Sequence, residues 1–193
     1  LELVKWLINN SPRLGTREIM SNLVNACSRG NLPMARVLDD KLVAPFDAAV
    51  GLIEAYARIA MHITCQNGDL SMAKWLLDAF GITWNGAHAD KIEAFGAACS
   101  SDNPEFVRWF VYTFALTTDN ARDARALIRA CGRGGSSTVE LLLDLFPKVN
   151  AHKDTARRAL GNAIVANRLS VVELLLSRFQ LTPADVCADD CYA

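Results

Sequence analysis

Two sets of marker residues recur along this chain with the same uneven spacing, and that restricts the possible folds more than any other feature. A charged residue heading an apolar run stands at Lys5, Arg36, Lys74, Arg108, Glu140 and Glu173, so successive copies lie 31, 38, 34, 32 and 33 residues apart. A second marker, late in the preceding segment, stands at Cys27, Cys65, Cys99, Cys131 and Ile164, with intervals of 38, 34, 32 and 33. Markers that stretch and shrink together define a repeat.

The sharpest copy is Cys65 to Thr83. Gly68 interrupts one helical stretch, and Ala73, Leu76, Leu77 and Phe80 then follow the i, i+3, i+4, i+7 spacing of one apolar helix face. The quartet returns as Val107, Phe110, Val111, Phe114, as Val139, Leu142, Leu143, Phe146, and as Val172, Leu175, Leu176, Phe179. A single helix pair cannot bury both its faces, so neighbours must stack and share a continuous core. The expected fold is an all-α solenoid of about five stacked helix-turn-helix repeats with partial repeats at both ends.

In chain order, the pairs are expected at 17–28 with 32–42, at 45–66 with the Cys65 to Thr83 helix, at 90–100 with 104–114, at 121–131 with 137–146, and at 154–166 with 170–179. The interval of 38 before Cys65 is absorbed by about one extra turn in the helix from Pro45 to Gln66. Pro33 falls in a first turn, where its missing N–H is tolerated, and Asp102-Asn103-Pro104 reads as stop, cap and restart. Leu3 to Leu7 matches Met72 to Leu76, and Leu181 to Ala193 resembles Ile82 to Ala94. Both ends therefore cut through repeats, and residues 1–193 read as one repeat domain excerpted from a longer array.

The pieces Arg129-Ala130-Cys131-Gly132-Arg133-Gly134 and Val139-Glu140-Leu141-Leu142-Leu143, followed by Phe146-Pro147-Lys148-Val149-Asn150-Ala151, resemble an ankyrin repeat. The resemblance covers nearly the whole chain. A Thr-Pro-Leu-His start is replaced by Asp123 to Leu127 in one repeat and by Asp154 to Arg158 in the next, so the family's regular hairpin loop and its hydrogen-bond brace are not implied here. Tetratricopeptide repeats share the period, but their Trp and Pro signature does not match. The resemblance implies a non-enzymatic module that binds a protein partner on a concave face lined by the first helices and connecting loops.

Composition adds limits. About half the residues are apolar (51%), no run approaches the roughly 20 residues of a membrane span, and no signal-like segment opens the chain. It reads as soluble and monomeric. Six cysteines without a small secreted framework suggest reduced thiols in the cytoplasm, or in the nucleus. Net charge is −1, yet residues 116–182 hold 10 Lys and Arg against 6 Asp and Glu.

Cys27, Cys65, Cys99 and Cys131 each sit one repeat from the next, which reads as buried packing. Neighbours roughly 10 Å apart could not share a zinc whose ligands lie about 2.3 Å away. Cys187 and Cys191 lack a nearby His and read as the start of a truncated repeat. His62, His88 and His152 do not align with one another, and Gly132 to Gly135 lacks the lysine and preceding strand of a phosphate loop. No catalytic residue, cofactor or metal is expected.

Trp6, Trp75 and Trp109 occupy one position and read as inter-repeat packing, whereas Trp84 falls in a connecting loop. There it can anchor a partner or fold back on its own repeat. Arg122, Arg125 and Arg129 fall at i, i+3, i+7 on one helix face, Arg158 matches Arg125 one repeat later, and Lys153 and Arg157 flank it. They form a basic patch for an acidic protein segment, or else a solvated face neutralised by Asp119, Asp123 and Asp154. RNA or another polyanion is the alternative partner, with no membrane.

Overall fold

The computed structural model describes residues 15–42, 50–82, 88–123, 125–147 and 153–181. Among these are eleven helices and no strand. The expected all-α repeat fold is what the chain forms. Contacts divide it into two compact units, Leu1–Ala87 and His88–Ala193.

In the first unit α1 (Thr16–Ser28) pairs with α2 (Leu32–Asp39), and α3 (Val50–Asn67) pairs with α4 (Leu70–Phe80). First helices α1 and α3 pack together, as do second helices α2 and α4. Fully buried Met20, Leu23 and Cys27 on α1 share this core with Ala60, Met61 and Cys65 on α3. Alanines on α3 at Ala57 and Ala60 carry no bulk beyond Cβ, so the helices can approach closely while leaving few voids. With 18 residues, α3 is longer than α1 at 13, in keeping with the long interval before Cys65. Residues 45–49 lie outside the described part, as do 1–10, Trp6 and Trp84.

The turn inside each pair repeats one device. Gly30 and Gly68 take left-handed backbone (φ 64° and 66°), which glycine reaches without the Cβ penalty. The next residue caps the second helix: Asn31 Oδ1 accepts from Met34 N–H at 3.1 Å, and Asp69 Oδ1 accepts from Met72 N–H at 3.0 Å.

The second unit stacks three pairs. In the first, α5 (His88–Cys99) lies against α6 (Pro104–Thr113). The second combines α7 (Thr118–Asp123) and α8 (Ala126–Arg133) with α9 (Ser136–Leu145), and the third joins α10 (Lys153–Val165) to α11 (Leu169–Phe179). First helices contact in the order α5, α8, α10, and second helices in the order α6, α9, α11. Phe95, Phe106 and Phe110 are wholly buried, with Phe95 stacked on Phe110 at 5.9 Å and edge-on to Phe146 at 6.2 Å. The quartet Val139, Leu142, Leu143, Phe146 is buried throughout because repeats cover it on both sides, whereas Val172, Leu176 and Phe179 remain half-buried.

One expected helix is divided. The stretch 121–131 does not form a continuous helix: α7 ends at Asp123, Arg125 turns left-handed (φ 50°), and α8 runs from Ala126 to Arg133. Local chemistry starts α7 early. Asn120 Oδ1 accepts from Thr117 N–H at 3.0 Å while Thr117 Oγ1 accepts from Asn120 N–H at 3.4 Å, a reciprocal cap built from Thr-x-x-Asn. Only residues 114–117 separate α6 from α7.

Capping also changes along this unit. Asn103 Oδ1 accepts from Phe106 N–H at 3.1 Å, but the equivalent positions Gly135 and Arg168 make no side-chain cap. A Cβ at Gly135 would meet Asp102 Oδ1 at 1.8 Å, so the preceding repeat's carboxylate holds that space. Arg168 reaches back one repeat instead, donating to the carbonyls of Arg133 and Gly134 at the end of α8.

Candidate functional site

The buried thiols are the first chemistry to place. Cys27, Cys65, Cys99 and Cys131 form no disulfide and are fully buried. Burial pushes the Cys27 thiol up to about 11, partly offset by the Thr64 hydroxyl and reinforced by Asp69. Burial likewise raises Cys131 to about 12 and Cys65 further still. A nucleophilic thiol needs the opposite shift, toward the thiolate, so Cys27, Cys65 and Cys131 act as small apolar packing groups, and Cys99 is buried at the same repeat position. Trp75 and Trp109 are half-buried, and among the described residues the ring of Trp75 meets Phe80 and that of Trp109 meets Phe106, Phe110 and Phe114.

The arginines sort by their partners. Arg122 pairs with Asp119 at 3.1 Å and Arg157 with Asp154 at 3.8 Å, each within its own helix. Arg125, Arg129, Arg133 and Arg158 are exposed, and among the described residues no carboxylate lies within ion-pairing distance of them. Two of the guanidiniums thus have a local carboxylate, and four have none among the described residues.

Backbone geometry explains the grouping. The break after α7 carries Arg122 away from the register assumed for a single helix, so Arg122, Arg125 and Arg129 do not share one continuous helical face. Within α8 a different set forms: Arg125 at its N-cap, then Arg129 and Arg133, each four residues on, lie along one side. Arg133 was missed from sequence because Gly132 to Gly135 reads as a flexible turn, although α8 incorporates Gly132 and Arg133. The four-residue spacing of the three arginines was the available signal. Lys153 begins α10, and its side chain, like Trp84, lies outside the described residues.

Beside these arginines lies a groove of about 400 Å³ between the C-terminal halves of α8 and α10. Ile128, Arg129, Gly132 and Arg133 line it from α8, and Asn162 and Val165 from α10. Asn162 Nδ2 donates to Ile128 O at 3.3 Å and joins its two walls. Val165 is 78% exposed despite its apolar side chain, and adjacent Ile164 is 44% exposed. The surface thus combines guanidiniums that have no ion-pair partner among the described residues with an exposed apolar edge, a pairing suited to recognition.

No helix among the described residues is long and apolar enough to cross a membrane. In comparisons with known proteins, the family described as Ankyrin repeats (3 copies) matches residues 94–190. No curated protein and no solved structure matches the chain. Ankyrin repeats are generally protein–protein interaction modules and typically non-enzymatic. With a period of 32 to 34 residues from Cys65 onward, stacked helix pairs throughout the second unit and a family match over half its length, the chain belongs to the ankyrin-repeat family.

Proposed function

We propose that this chain is a non-enzymatic adaptor that binds an acidic segment of a protein partner on the concave side formed by its first helices. One observation carries the reading: Arg125, Arg129, Arg133 and Arg158 are exposed without a carboxylate partner among the described residues, while neighbouring Arg122 and Arg157 have theirs. Guanidiniums in this state favour planar carboxylates, which they can engage in paired hydrogen bonds. Stacked helices hold the backbone of these residues in place, so binding orders few groups beyond the side chains themselves. Trp84, Arg122, Lys153 and Arg157 border the patch in sequence and complete the proposed contact set.

In this reading the chain works as a monomer in the cytoplasm, a compartment that keeps its thiols reduced. Residues 1–193 form one repeat domain, because the markers keep their register from Cys65 to Cys99 across the junction of the two units. Arg125→Glu combined with Arg158→Glu should abolish capture of the partner while the helical circular dichroism stays that of the parent. Unchanged capture by the double variant refutes the basic face as the contact. Retention of RNA that falls steeply with added salt would instead favour a polyanion ligand. The aliphatic groove beside the arginines supports the peptide, since nucleic acid is gripped by aromatic stacking platforms.

A further inference from the structure

We infer that the groove between α8 and α10 is an anchor pocket for one aliphatic side chain of the partner, flanked in the partner's sequence by carboxylates. This rests on the acidic-segment reading above and adds a specific determinant to it. Three features of the groove point the same way.

The first is its size. About 400 Å³ lies at the small end of ligand-holding clefts, roughly 300–1,000 Å³, and suits one side chain with its adjoining backbone. The second is the floor. Gly132 has no side chain, and a Cβ there would meet Asn162 Cβ at 3.8 Å, ordinary contact, so a longer side chain at this helical position would occupy the recess. The third is chemical asymmetry at the rim. Ile128 and the 78%-exposed Val165 offer apolar contact, while Arg129 and Arg133 stand at the same edge without ion-pair partners among the described residues. An aliphatic group entering the recess covers Val165, and carboxylates one or two residues away reach the guanidiniums. A purely acidic segment would leave Val165 in water, and a purely apolar one would lie beside two uncompensated cations.

Fluorescence anisotropy on the whole 193-residue chain tests this. The probes are three short labelled peptides: glutamates surrounding a central leucine, the same with alanine at the centre, and the leucine peptide with lysines replacing the glutamates. The leucine–glutamate peptide should bind at least about tenfold more tightly than its alanine counterpart, the discrimination an apolar recess achieves over missing methylenes. The lysine peptide should not bind. Gly132→Leu, which fills the recess and keeps every arginine, should lower affinity for the leucine peptide to that of the alanine peptide and leave the latter unchanged. Val165→Ser, at an exposed position that folding does not depend on, should act in the same direction if Gly132→Leu fails to fold.

Equal affinity for the leucine and alanine peptides overturns the anchor pocket and leaves the basic face standing. Binding of the lysine peptide, or of none of the three, overturns both.

Discussion

The two compact units build the same helix pair on the same register and then diverge at the surface. At the position held by Arg125 and Arg158 in the second unit, the first unit places Ser21 and Ile59; at the position of Arg129 it places Asn25 and Ile63. Inside, the correspondence is close: Leu38 and Leu76 in one unit stand where Phe110, Leu142 and Leu175 stand in the other, and all five are buried. Core positions are held by the need of each repeat to cover its neighbour, whereas an outward first-helix position answers to no such demand and can take any solvated chemistry. The charge on the second unit is therefore informative in a way that its core is not.

Turns diverge as well. The first unit caps its second helices with their own side chains, at Asn31 and Asp69, whereas the second unit does so only at Asn103; Arg168 instead bonds the carbonyls that end α8 in the preceding repeat. Local capping gives each repeat stability of its own; capping across repeats ties that stability to the neighbour.

The core correspondence is broken most forcefully by truncation. Phe110→Ala should cost about 3–5 kcal/mol and Leu76→Ala about 2–5 kcal/mol in chemical denaturation, since both side chains are fully enclosed. If Leu76→Ala proved nearly neutral, the two cores would not be equivalent.

Alkaline pH comes next. Cys27 titrates at about 11 in the folded chain against 9.0 ordinarily, so the folded state holds its proton more tightly. That stabilisation is complete below about pH 9 and is lost as pH rises through 11, at about 1.4 kcal/mol for each unit of difference. Denaturation midpoints should fall over this window, and less steeply in Cys27→Ala.

Gly134→Ala places a Cβ 2.8 Å from the carbonyl of Cys99 in the preceding repeat, a backbone atom with little freedom to yield, and should cost about 1–3 kcal/mol. Gly51→Ala in the first unit meets nothing within 4 Å and should be neutral or slightly stabilising. Equal effects at the two sites would show that Gly134 is not pressed by its neighbour.

Capping is a smaller contribution. Asp69→Ala should cost about 1 kcal/mol by losing the bond from Met72 N–H. The smallest effect is a gain: Ala115 and Gln180 hold left-handed backbone (φ 46° and 50°) where Gly81 does so at 53° in the first unit. Ala115→Gly or Gln180→Gly should raise stability by up to about 1 kcal/mol, measured as a higher melting temperature.

Much of this molecule follows from spacing alone. The irregular intervals shared by the cysteine markers and the charged markers were enough to place the helix pairs, the long α3 and the burial of Cys27, Cys65, Cys99 and Cys131, because stacking forces a buried residue to return once per repeat; the basic bias after residue 116 came from counting charges. Spacing could not show that Thr117 and Asn120 start a helix early, that Arg125 turns left-handed, or that Gly132 and Arg133 belong to α8. Those outcomes depend on competition between local caps and the packing of adjacent first helices. Which arginines find a carboxylate is likewise a matter of distances across a few ångströms. Arg122 and Arg125 are indistinguishable as residues in the sequence; the folded backbone sets one beside Asp119 and leaves the other facing solvent.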